Sequence, residues 1–204
     1  PERAQAALAA VEQYSDRGSP MRRAAVLAAS GRIDEVDGRW TQARDYYQQA
    51  RVLRESAGAH AWVVATDLRL LRLSVRESPK SDRLRVRLEG LEAEFTRIGE
   101  NGDAISAALS AAEAALAAGN ADAADAILDR MQTLVQSRGN RLQQHQAAWI
   151  AASLTKGDER DERLLRLAAA CEEDGFRGIA LLARAGRETA GTPAHRERVD
   201  ELES

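Results

Sequence analysis

Residues 38–50 read Gly38-Arg39-Trp40-Thr41-Gln42-Ala43-Arg44-Asp45-Tyr46-Tyr47-Gln48-Gln49-Ala50. A glycine and an aromatic open the stretch. Small Ala43 and Ala50 then bracket bulky Tyr47 at spacings of four and three. Those spacings put all three on one helix face. The stretch therefore reads as a turn followed by a helix, with small residues where a second helix can approach closely.

The same unit recurs along the chain. Gly119-Asn120-Ala121 opens a helix with Ala124, Leu128 and Met131. Pro79-Lys80-Ser81 opens one with Leu84, Leu88, Leu91, Phe95 and Ile98, a 4-3-4-3 apolar seam. Gly157-Asp158 opens a weaker one carrying Leu165, Ala169 and Cys171. Thr192-Pro193 opens a short last one with Val199 and Leu202, where threonine can cap and proline suits the first turn. The turn positions 38, 79, 119, 157 and 193 lie 41, 40, 38 and 36 residues apart. Partner helices are expected near 21–36, 59–76, 103–117, 141–155 and 176–187. Ala4, Leu8 and Val11 repeat the spacing at the start, as if the chain began halfway through a unit. The count is eleven helices with short loops. No loop is long enough for an interdomain linker, so residues 1–204 read as one domain. Its parts are a half repeat at 1–16 and hairpins at 20–57, 58–99, 103–138, 141–175 and 176–203.

Composition agrees with an all-α chain. Of 204 residues, 44% are hydrophobic and 30% charged, a folding composition. Alanine makes up about a fifth of the chain, β-branched residues are sparse, and there are only 4 prolines. The net charge of -3 argues against a general nucleic-acid binder. No apolar run reaches the roughly 18 residues of a membrane span. The chain begins with Pro1 rather than Met, which points to a cleaved or excised segment. The cytoplasm is the first choice of compartment, with a periplasmic sensor domain of a membrane protein as the alternative.

A hairpin with one shared apolar face cannot bury both sides alone, so neighbouring hairpins must stack. The span from Ala24 to Ala57 resembles a tetratricopeptide repeat. Gly31, Gly38, Trp40, Ala43, Tyr47 and Ala50 stand where that family prefers small and aromatic residues. The match weakens through 105–138, 58–99 and 141–175, and the spacing of about 40 exceeds the family's usual 34. The segment Glu172-Glu173-Asp174-Gly175-Phe176-Arg177-Gly178-Ile179-Ala180-Leu181 is similar to the last repeat of such arrays in bacterial multidomain regulators, Ser/Thr kinases and transcription regulators among them. The resemblance implies a right-handed α-solenoid of about five hairpins. It also implies a concave groove lined by the first helix of each pair. On this chain that wall carries Arg32, Glu35, Trp62, Thr66, Arg69, Arg76, Glu113 and Gln144.

No nucleotide-binding, hydrolase or zinc-protease motif is present, so no catalytic residue, metal or cofactor is assigned. His60, His145 and His195 lie on different units. Cys171, the only cysteine, reads as a small core residue. Asp158, Glu159, Asp161 and Glu162 read as acids favoured at a helix N-terminus, and Asp122, Asp125 and Asp129 as a solvated stripe. Trp62 reads first as core and second as a binding anchor.

The segment from Arg69 to Arg87 holds seven cations against Glu77 and Asp82, a local excess of +5. It reads first as a solvated face and second as a docking site for an acidic segment. Without interleaved aromatics it does not read as a nucleic-acid site. The expected function is a non-catalytic interaction module, the regulatory segment of a larger signalling protein, binding a protein or peptide. Arg69 and Arg76, two turns apart on one face, are expected to contribute. The alternatives are a small-ligand receptor or helical enzyme, and a homodimerisation domain.

Overall fold

The computed structural model describes residues 19–77 and 82–188. Nine helices run through them: α1 (Pro20–Val36), α2 (Trp40–Ser56), α3 (His60–Glu77), α4 (Asp82–Ile98), α5 (Asn101–Ala117), α6 (Ala121–Arg138), α7 (Arg141–Leu154), α8 (Gly157–Glu173) and α9 (Arg177–Glu188). No strand occurs among the described residues. The expected half repeat at 1–16, the turn at Pro79 and the last helix after Pro193 lie outside them.

The chain packs as two compact units. The first holds α1, α2, α3 and residues 93–99, and the second holds residues 82–92 of α4 together with α5 to α9.

In the first unit α2 packs against both α1 and α3. Ser19 caps α1 by accepting from the Arg22 amide, and Pro20 follows in the first turn, where its missing N–H costs nothing. Gly38 ends the helix with φ +76, a left-handed conformation that a Cβ would strain. The buried stripe of α2 runs Ala43, Tyr47, Ala50 and Arg54, at spacings of 4-3-4. Ala43 and Tyr47 pack with Leu73 of α3, bordered by Trp40 and Leu70.

Among the described residues, Tyr47 is the largest fully buried side chain, and Gly31 of α1 makes room for it. A Cβ at Gly31 would lie 2.7 Å from Tyr47 Cε1 and 2.9 Å from Cδ1. The ring is enclosed and cannot swing away. Gly31→Ala should therefore destabilise the chain by about 1–3 kcal/mol, despite alanine's better helix propensity. A thermal midpoint several degrees below the parent's is expected. An unchanged or raised midpoint would show that the α1–α2 contact yields.

The second unit is built around α5. Ala104, Ile105, residues 107–112, Ala114 and Ala115 are all buried, so this helix is enclosed on nearly every side. Its small alanines let neighbouring helices approach closely, and α6 and α7 both pack against it. Gly119, with φ +80, closes the α5–α6 turn, and Asn120 accepts from the Ala123 amide to cap α6. Asn140 and Gln143 form a reciprocal capping box at the start of α7. Buried Gln143 also donates to the Gly102 carbonyl at 2.7 Å and to Ser106 Oγ at 2.9 Å, joining α7 to α5.

A second cluster joins α7, α8 and α9 through Ala152, Leu164, Leu167, Ala168, Cys171, Ala180 and Ala183. The expected stripe of Leu165 and Ala169 is corrected here, because both are exposed. Residues 169 and 171 are only two apart and cannot share a helix face, whereas Leu164, Ala168 and Cys171 follow the 4-3 rule. Cys171 is fully buried, and its thiol is pushed up by burial and, secondarily, by Asp174.

Candidate functional site

The groups that sequence assigns to a binding wall converge best in the first unit. Arg32 and Glu35 lie one turn apart on α1, and Trp62, Thr66 and Arg69 share a 4-3 row on α3. Between them stands α2 with Tyr47 and Arg54. The Tyr47 hydroxyl donates to Glu35 Oε2 at 2.8 Å, and Arg69 Nη1 lies 3.8 Å from the same oxygen. Burial, followed by the Glu35 charge, holds the Tyr47 phenol well above its ordinary range. It therefore stays protonated and serves as a donor.

Arg54 is a residue that sequence reasoning missed. It is only 7% exposed, although it carries a charge. Its Nη1 donates to Thr66 Oγ1 and to the Trp62 carbonyl, and its guanidinium lies 5.2 Å from the centre of the Trp62 ring. Burial, and then the neighbouring Arg32 charge, lowers its pKa. The signal was present in the sequence. Position 54 continues the 43-47-50 stripe, so a cation there had to be enclosed.

Trp62 is not core. It is 56% exposed. Thr66 is corrected in the other direction: it is 1% exposed, so its hydroxyl meets Arg54 and not solvent. Its Oγ1 also donates back to the Trp62 carbonyl at 2.6 Å. Arg76 stacks over Trp40, 4.8 Å from the ring centre.

In the second unit, Glu113 accepts from Gln146 at 2.8 Å, and Gln144 donates to the Gly139 carbonyl at 3.0 Å. Those two residues serve contacts of α5 with α7 and of the α6–α7 turn.

Much of the basic segment is engaged as well. Arg85 pairs with Asp82 and Glu89, which raises its pKa. The two described histidines each meet a carboxylate within their own unit: His60 meets Glu94, and His145 meets Asp174. Arg97, and then His60, holds the Glu94 carboxyl down at about 2. His195 lies outside the described residues. Among those residues, no group of three or more His, Cys, Asp or Glu is arranged to hold a metal ion, and no helix is long and apolar enough to cross a membrane.

Asp122, Asp125 and Asp129 are exposed, and Asp158 and Glu159 sit in the first turn of α8. Compared with family models, with curated proteins and with solved structures, the chain matches none of them.

Proposed function

We propose that the chain is a non-catalytic protein interaction module. In this reading it is a divergent tetratricopeptide-like array, a right-handed solenoid serving as the regulatory segment of a larger signalling protein. It binds a peptide or protein segment across α1, α2 and α3. The supporting observation is Trp62, a large aromatic held 56% exposed beside Arg54 of α2. An exposed tryptophan whose neighbours fix its ring is the kind of residue that anchors binding hot spots. Arg54 crosses over it, and Thr66 and Arg54 both bond its backbone carbonyl. The ring is therefore fixed before any partner arrives, which lowers the ordering cost of binding.

The test is selection from a displayed random-peptide library on the immobilised full chain, together with native mass spectrometry of the purified chain. We expect peptides to be enriched and the chain to fly at its bare mass. No enrichment, with a small metabolite carried through purification, would replace this reading with a small-ligand receptor.

A further inference from the structure

We propose that Arg54 and Arg32 receive a carboxylate of an acidic peptide segment that lies against Trp62. The inference rests on the peptide-binding reading and names the chemistry of the ligand.

The argument begins with a charge that lacks a counterion. Arg54 is more than nine-tenths buried, and among the described residues no carboxylate pairs with it. Only Nη1 is bonded to named partners, and both of those are neutral. The Nε–H is buried with no acceptor at all. A buried charged donor without an acceptor costs more than an ordinary unmade hydrogen bond, so an acceptor that reaches it gains correspondingly.

The nearby carboxylates are engaged elsewhere. Glu35 takes the Tyr47 hydroxyl and faces Arg69. Glu55 and Asp67 both pair with Arg51. The C-terminal end of α2 offers Arg54 only a partial negative charge.

Arg32 adds a second cation. It is exposed, no described residue pairs with it, and its charge acts on both Arg54 and Tyr47. Two guanidinium charges that act on each other without a counterion repel. A ligand anion that meets Arg54 relieves that repulsion and takes up its free donor. Trp62 supplies the apolar contact beside the charge. That combination suits an acidic side chain in a peptide better than a free small anion.

The probe is an acetylated, amidated tetraglutamate peptide titrated into the full chain, with inorganic phosphate as a parallel arm. The readout is NMR of the arginine Nε–H and tryptophan indole resonances. The peptide should move the Arg54 Nε–H and the Trp62 indole together. Arg54→Lys, which keeps charge but loses the fork, should weaken binding about tenfold. Arg32→Gln should weaken it about threefold. If Arg54→Lys does not fold, exposed Arg32→Gln decides alone.

Unmoved Arg54 and Trp62 signals, or parent-like binding by Arg32→Gln, would overturn the inference. So would movement by phosphate without movement by the peptide. Library selection tests the underlying reading independently, since peptides without acidic residues would support that reading and still sink this inference.

Discussion

Tyr47→Ala should lower the free energy of unfolding by about 3–5 kcal/mol, the range for truncating an enclosed aromatic ring. Tyr47 is 1% exposed, packs with Ala43 and Leu73, and sits over Gly31. The substitution opens a cavity that neither glycine nor alanine can fill. Tyr47→Phe separates the ring from its hydroxyl. It leaves Glu35 without that donor, and the loss should be smaller, about 1–3 kcal/mol. Urea unfolding of the three chains gives both numbers. A loss under about 1 kcal/mol for Tyr47→Ala would mean that the ring is not the keystone of the α1–α2–α3 contact.

The second large effect is expected in the other unit. Ala108→Glu places a carboxylate in the middle of α5, where flanking positions 107 and 109–112 are all buried. A carboxylate forced into that enclosure should cost about 3–5 kcal/mol. Ala117→Glu makes the same chemical change on the same helix at an exposed position. It should stay within about 0.5 kcal/mol of the parent. Thermal unfolding of the pair checks the enclosure of α5 directly. Equal effects at both positions would contradict it.

Much of the helix pattern was legible because turns and periodicity agreed. The partner helices expected at 21–36, 59–76 and 141–155 occur at 20–36, 60–77 and 141–154. Glycine or proline marked most of the boundaries, and 4-3 spacing marked the faces. The seam of α4 keeps Leu84, Leu88 and Phe95 buried.

Side-chain roles were less legible, because a stripe tells which face is covered but not by what. Trp62 shares a row with Thr66, Arg69 and Leu73. Thr66 and Leu73 are buried, but at the start of α3 the neighbour that reaches Trp62 is Arg54. A guanidinium over one ring face leaves much of the indole in solvent. Arg54 itself was passed over because arginine is almost never fully buried unless paired. Within the basic segment, charge excess alone did not reveal which cations were engaged. Arg69 faces Glu35 and Arg76 covers Trp40, whereas Arg32 stands outside that segment altogether.

The measurement that bears most directly on the central claim is the affinity of a library-selected peptide for the parent chain and for Trp62→Ala. The ring is exposed, so its removal should leave the thermal midpoint near the parent's. If the face of α1, α2 and α3 is the binding surface, the variant should bind at least about tenfold more weakly, the loss of about 1.4 kcal/mol or more expected of an anchoring tryptophan. Affinity within about twofold of the parent's would contradict the claim and place the binding surface on other residues.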